Sequence, residues 1–310
     1  VPVPDPRLDV VARIAKSAKA VPTQLEIKDI AGLVRGASKG EGLGNKFLGA
    51  IREVDAILHV LRCFTDPDVT HVEGGVDPLR DAELIETELL LADIESLERQ
   101  KDGLVKRVRG QDKDAKARLD LLERIYPALA EGRPARALEL SPEDRELLKG
   151  FNLLTAKPVL YVCNVDEAAA ATGNDLTAKV ARMAAGQGAR HVVISAAIEA
   201  ELAALGPEER AEYLRAIGLE EPGLARVIRE GHELLGLITF LTAGPKEARA
   251  WTVRQGAKAP EAAGVIHTDF ERGFIAAEVI AYDEYVQRNG EQGAKAAGRM
   301  RVEGRDYVVR

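Results

Sequence analysis

The chain has 310 residues, 46% of them hydrophobic and 30% charged, with a formal net charge of −7; that is the composition of a folded globular protein and excludes a disordered one. Length alone suggests about two domains, and the acidic balance excludes a surface dressed uniformly for nucleic acid while leaving room for a local basic patch. No apolar run approaches the ~20 residues of a membrane span, and the opening VPVPDPRLD has no basic start and apolar leader, so a cytoplasmic protein is expected. Cys63 and Cys163 are the 2 cysteines; each lies in an apolar run and is expected as a reduced, buried thiol, in neither a disulfide framework nor a metal site.

In chain order, residues 24–30 (QLEIKDI) alternate polar and apolar side chains and predict a strand. A glycine-rich stretch follows from Gly32 to Gly44. Residues 55–61 (DAILHVL) predict a buried strand. The texture then changes. Apolar residues at Ile85, Leu89, Ala92 and Leu97, and again at Leu119, Leu122, Tyr126 and Leu129, predict two amphipathic helices that fold back near Gly110 as an antiparallel hairpin. Around its tip, eight basic residues (Arg99, Lys101, Lys106, Arg107, Arg109, Lys113, Lys116, Arg118) stand against three acids (Asp102, Asp112, Asp114). A solvated helical face explains such a run simply; a surface for a phosphate backbone is the sharper reading. Strands at 158–164 (PVLYVCN) and 191–195 (HVVIS) complete an alternation of strands and helices, the pattern of a mostly parallel α/β sheet. Residues 201–236 predict helices broken at Gly206-Pro207 and at Glu221-Pro222-Gly223. From Leu237, the short strands LITFLTAG, ARAWTV and GFIAAEVIAY, with a small helix in KAPEAAGVIHT, form an α+β unit. The expected division is a sheet domain over 1–78 and 133–236, a hairpin inserted at 79–132, and an α+β domain at 237–310.

Three strand ends carry candidate chemistry. Asp29-Ile30-Ala31-Gly32 places a carboxylate where phosphate-handling sheets reach Mg²⁺, usually through water, and a glycine whose backbone N–H can approach a terminal phosphate. The motif is unspecific alone, since a glycine-rich turn explains it equally, but GLVRGASKGEGLGN behind it can order around a γ-phosphate. Asn164-Val165-Asp166-Glu167 follows the second buried strand, where GTP-binding domains carry Asn-Lys-x-Asp. An Asn amide offers a donor and an acceptor, matching adenine N7 and N6; Val165 replaces the Lys, and Glu167, longer than Asp, is displaced from a guanine edge. A strand-end Asn capping a turn is the plainer alternative. Ser195-Ala196 ends the third strand, where a backbone loop closes over a base. The order of the three carries the argument, because nucleotides bind at the carboxyl ends of open α/β sheets.

The strings DIAGLVRGASKGEGLGNKFL, RCFTDPDVTHV, NVDE, SAAIEAEL and the tail from TFLTAGPKEARAWTV to FIAAEVI resemble the Obg-like ATPase (YchF) family along essentially the whole chain. The resemblance implies a P-loop NTPase-type α/β domain with mostly parallel sheet, the inserted antiparallel helical hairpin, and a C-terminal β-grasp (TGS) domain. It implies Mg²⁺-ATP preferred over GTP, association with ribosomes, and a link to translation and stress responses; a monomer is expected. It also implies nucleotide binding by Gly32, Asn164, Val165, Glu167, Ser195 and Ala196, and Mg²⁺ at Asp29 through water. No G-x-x-x-x-G-K-[ST] occurs in the 310 residues. In the family that motif precedes the string matching VPVPDPRLD, together with a Mg²⁺-binding Thr, so it is expected upstream of Val1, and the family's last strand is expected beyond Arg310. Without the motif the 310 residues are expected to bind and hydrolyse nucleotide poorly. Leu33 follows DIAG where related GTPases orient water with Gln, so another group must assist. His71 matches a histidine proposed to do so in the family and could position or deprotonate a water, although a loop histidine alone is more often a surface residue. His59 is expected in the core, and His267 and Asp269 at the helix-to-strand corner of the TGS domain.

The resulting expectation is a slowly hydrolysing ATPase switch whose basic hairpin tip (Lys106, Arg107, Arg109, Lys113) meets ribosomal RNA. The alternative is a ribosome- or RNA-binding adaptor with a vestigial nucleotide site. A small-molecule kinase would need an acceptor lid and an Asp base, and neither is legible.

Overall fold

The computed structural model describes residues 1–30, 43–66 and 75–310. In chain order it places α1 (Pro6–Ala15), β1 (Ala20–Val21), α2 (Leu43–Glu53), β2 (Ile57–Arg62), α3 (Pro78–Arg109), α4 (Lys113–Ala130), α5 (Pro142–Lys149), β3 (Val159–Asn164), α6 (Asp175–Gly186), β4 (Arg190–Ile194), α7 (Ala196–Ala204), α8 (Pro207–Ala216) and α9 (Gly223–Leu234). Then come β5 (Leu237–Ala243), β6 (Ala248–Arg254), α10 (Ala259–Ile266), α11 (Thr268–Arg272), β7 (Ala277–Val279), α12 (Tyr282–Gln287), α13 (Glu291–Ala296) and β8 (Arg301–Glu303). Several helix starts follow one local rule. Asp5, Asp77 and Ser141 each accept a backbone N–H of the first turn, and each is followed by a proline whose missing N–H costs nothing there.

Packing divides the chain into two compact units, Lys28–Val227 and Val1–Ile27 with Ile228–Arg310. In the first, β2, β3 and β4 form a parallel sheet in that order. From Val159 to Cys163 every residue of the central β3 is buried, which is why its sequence is continuously apolar instead of alternating. Ala82 of α3 and Val180 and Ala184 of α6 pack with Leu61, Tyr161 and Cys163 on the sheet.

The hairpin forms as expected. Arg107 pairs with Asp112, Lys101 with Glu123, and Tyr126 with Glu98, so the two helices run in opposite directions. Helix α3 serves two cores. Leu89 and Ala92, with Ile85 beside them, pack with Leu48 and Ile51 of α2, whereas Leu97 and Leu104 pack with Leu121, Leu122, Ile125 and Leu129 of α4.

Residues 24–30 correct an expectation. Among the described residues no ladder forms there: Gln24 makes an isolated bridge to Pro2, and Leu25 and Val1 exchange backbone hydrogen bonds at 2.8 and 2.7 Å. Alternation supplies a face, but a strand also needs a neighbour for its backbone groups, and Ile27 is left 43% exposed.

In the second unit the sheet order is β1-β6-β5, with β6 antiparallel to β5 and parallel to β1, and β7 pairs with β8. Residues 1–27 thus belong with Ile228–Arg310, whereas the sequence expectation grouped them in 1–78. The reason is local: Ala20 and Val21 pair with Ala248 and Arg249, Leu8 and Val11 pack on Ala248 and Ala250, and Thr23 and Thr252 share a hydroxyl hydrogen bond of 2.6 Å. His267 lies between α10 and α11, not at a helix-to-strand corner; its Nδ1 accepts the Asp269 N–H at 3.2 Å and caps α11. Among the described residues no helix is long and apolar enough to cross a membrane.

Candidate nucleotide site

The three parallel strands end in one row. Arg62 of β2 is in register with Asn164 of β3, and Asn164 with Ile194 of β4. Backbone bonds continue past the row, from Cys63 N–H to Asn164 O at 2.7 Å and from Val165 N–H to Ile194 O at 2.8 Å. The loops that leave these ends are therefore held at their roots by the sheet itself.

Asn164 accepts the Ala196 N–H on Oδ1 at 2.9 Å. Because an N–H faces that atom, it must be the oxygen, and Nδ2 is left to donate elsewhere. One of the two acceptor positions on Oδ1 is thus used inside the protein, and the second lone pair and the Nδ2 donors remain available. Glu167 is the fourth residue of the motif. It is exposed and opens a one-turn 3₁₀ helix, Glu167–Ala169, capped by Asp166, whose Oδ1 accepts the Ala169 N–H at 2.9 Å. Val165 is 3% exposed and packs into the sheet core, so it can offer a ligand backbone atoms only.

Ser195 is the N-cap of α7 but makes no capping bond; its Oγ is buried with no partner among the described residues, on a residue 2% exposed. A buried hydroxyl without a partner costs about 1–3 kcal/mol. Together with the remaining first-turn amides of α7 it makes a concentration of hydrogen-bonding capacity beside Asn164 that suits a polar, electron-rich ligand edge.

Asp29 is exposed on coil. Next to it, Lys28 pairs with Glu53 at 2.5 Å and Ile30 packs on the Leu48–Leu89 cluster. A single exposed carboxylate fits Mg²⁺, which keeps several waters and takes one or two carboxylates plus substrate phosphates; no cluster of three or more potential ligands occurs among the described residues. Gly32 and His71, the expected phosphate and catalytic residues, lie outside the described residues, as does Leu33.

Cys63 and Cys163 are both free and fully buried, as expected. A hydrogen bond between them holds the Cys63 thiol below its ordinary range and pushes Cys163 up, with burial adding to the rise. Sequence reasoning missed Asn174. Its Nδ2 donates to Cys63 O at 2.7 Å, while its Oδ1 accepts the Leu176 and Thr177 N–H groups in a capping box on α6. The loop after β2 is thereby tied to α6. The Asn-x-x-Thr cap was readable locally; the partner 111 residues away was not.

At the hairpin tip five of the eight basic side chains are engaged locally. Arg99, Lys101, Arg107 and Lys116 have acidic partners, and Arg118 is taken by Gly150 O and the Phe151 ring. Lys106, Arg109 and Lys113 are exposed and form no ion pair among the described residues.

Residues 237–310 match the family model YchF-GTPase_C, described as a protein of unknown function (DUF933). The chain is 54% identical over 309 residues to the ribosome-binding ATPase YchF of Haemophilus influenzae, the alignment covering 100% of this chain and 85% of that protein. It is 49% identical over 311 residues to the ribosome-binding ATPase YchF of Bacillus subtilis, with the same coverage. The Obg-like ATPase 1 of Oryza sativa subsp. japonica is 44% identical over 310 residues, covering 99% of this chain and 78% of its own. Among solved structures, that of the Schizosaccharomyces pombe YchF GTPase matches with a TM-score of 0.90 at 38% identity, over 100% of this chain and 84% of that one.

Proposed function

This chain belongs to the YchF family of Obg-like ATPases, and from that membership we propose that it binds and slowly hydrolyses ATP while acting on the ribosome. The observation that carries the reading is the row Arg62–Asn164–Ile194 with Ser195 and Ala196 folded against Asn164, at the sheet end where nucleotides bind in open α/β folds. Asn164 Nδ2 would donate to base N7, and Glu167 would disfavour guanine. Asp29 would hold Mg²⁺ through water, with Gly32 at the terminal phosphate and His71 assisting the attacking water. Magnesium would supply neutralisation of phosphate charge. The nucleotide would bias a switch felt at the hairpin and C-terminal domain, in a cytoplasmic monomer serving translation and stress responses.

The test is isothermal titration of ATP and GTP, each with Mg²⁺, into the full-length protein. Micromolar ATP affinity, much weaker GTP affinity, and a loss of about tenfold in ATP affinity on Asn164→Ala, the scale of one ligand hydrogen bond, are expected. Equal affinity for the two nucleotides would remove the role given to Glu167. Binding of neither would leave a ribosome- or RNA-binding adaptor.

A further inference from the structure

The end of β4 is gripped from the side by the start of α9. Gly223, the buried first residue of α9, donates its N–H to Glu199 Oε1 at 2.6 Å. A Cβ at position 223 would lie 2.9 Å from Ile194 Cγ2, 3.0 Å from Glu199 Oε1 and 3.1 Å from Ile194 Cβ. Glycine is required for the approach, because the nearest obstacle is the branched root of a side chain and not a flexible tip. One turn along α9, Arg226 donates to Val193 O at 2.9 Å.

These contacts share one target. Val193 and Ile194 are the last residues of β4, and Glu199 lies on the first turn of α7. Between them sit only Ser195 and Ala196 and the start of that turn, and the Ala196 N–H is the group that fixes the Asn164 amide. The loop is therefore anchored on its strand side by Arg226, on its helix side by Glu199, and against β3 by Asn164. The bond from Gly223 is charge-assisted, the stronger kind, and its acceptor carboxylate stands beyond the loop, on the helix side.

We propose that Glu199 and Gly223 are positioning residues for the base-recognition loop, holding Ser195 and Ala196 against Asn164 and so setting nucleotide affinity and base preference without touching the nucleotide. The inference rests on the nucleotide reading of this site. Glu199→Ala removes the acceptor and strands the Gly223 N–H. Glu199→Gln keeps an oxygen at the same reach. Gly223→Ala keeps the acceptor but pushes α9 off Ile194. A loop displaced by a fraction of an ångström loses alignment of its bonds to a ligand.

The experiment uses full-length protein and compares the four forms by steady-state ATPase kinetics, by titration with ATP and GTP, and by thermal midpoint. Glu199→Ala and Gly223→Ala are each expected to raise KM for ATP by about tenfold, the scale of one well-made hydrogen bond, with kcat little changed and the ATP-to-GTP affinity ratio reduced. Glu199→Gln should restore both to near the wild-type values. If Glu199→Ala lowers the thermal midpoint but leaves KM and the ratio as they were, the contact is structural only and the proposal is overturned. The Glu199→Ala and Glu199→Gln pair decides the matter alone should Gly223→Ala fail to fold. Absence of nucleotide binding in the wild-type protein would instead overturn the underlying reading, and that outcome is visible before any variant is made.

Discussion

His59 sits in β2 with its ring 5.6 Å from that of Tyr161. Burial, reinforced by the Arg136 guanidinium and opposed by Asp81, pushes its pKa from 6.5 down to about 4. A histidine whose folded pKa is depressed stays neutral in the fold while the unfolded chain takes up a proton. Its contribution is thus fully present above pH 6.5 and is lost as pH falls from there through about 4. By pH 5 the loss should reach about 2 kcal/mol. Urea unfolding at pH 7 and pH 5 should show that drop in the wild type and a smaller one in His59→Phe, which keeps a ring against Tyr161; equal drops would mean that other groups set the acid sensitivity. At this scale the sequence was readable where chemistry follows from position along a strand. Asn164 could be placed because a continuous apolar run ends on it, whereas His59, expected in the core, is half-buried on β2. The engaged Oδ1 of Asn164, the buried Ser195 hydroxyl beside it and the Glu199–Gly223 contact depend on residues brought together by the fold, and no local pattern encodes them.

Helix α3 is fastened to the sheet by buried polar groups along its sheet-facing length. Asp93, 1% exposed, accepts the Leu154 and Thr155 N–H groups at 2.8 Å each and the Thr155 hydroxyl at 2.7 Å. Nearby, Arg136 meets Glu86 at 2.5 and 3.1 Å and also donates to Gln187, to which Tyr161 of β3 donates in turn. Asp93 secures the segment that feeds β3, so its loss strands two backbone donors and a hydroxyl at once. Asp93→Ala should cost about 3–5 kcal/mol and lower the urea midpoint with an unchanged m value, whereas Thr155→Val, which removes the hydroxyl's bond to Asp93 and its acceptance of the Ala135 N–H at 3.2 Å, should cost about 2 kcal/mol; a larger loss for Thr155→Val than for Asp93→Ala would show that the carboxylate is not the hub. Burial holds the Asp93 carboxyl above its ordinary range despite the bonds from Thr155 and Leu154. The folded state thus takes up this proton at a higher pH than the unfolded chain, so the titration of this one group favours the fold as pH falls. The hairpin itself was plain in the sequence, since a helical stripe repeated across a polar turn has few other solutions. The strand expected at 24–30 was not formed, because alternation specifies which side chains share a face but not which backbone will supply the opposing ladder.

Across the whole molecule, a formal charge of −7 opposes approach to a polyanion, so any contact with ribosomal RNA must be made where that charge is locally reversed. Counting basic residues in the sequence overstated the reversal. Four of the eight at the hairpin tip are paired with neighbouring acids and Arg118 is spent on Gly150 and Phe151. Exposed ion pairs of that kind contribute little to stability, but they do cancel charge at the range that matters for a phosphate backbone. The residues that can release counterions are Lys106, Arg109 and Lys113. Removing one cation that meets a phosphate should flatten the dependence of log affinity on log salt by about one. Full-length protein carrying Lys106→Gln, Arg109→Gln and Lys113→Gln should therefore bind ribosomes more weakly at low salt, with a slope shallower by about 2–3, while its ATP affinity stays as in the wild type because the substitutions lie at the far end of α3 and α4 from the sheet. Lys101→Gln, which removes a charge already paired with Glu123, should move the slope much less. Should the triple variant retain the wild-type slope, the ribosome contact lies elsewhere on the chain and the hairpin tip is a solvated helical surface.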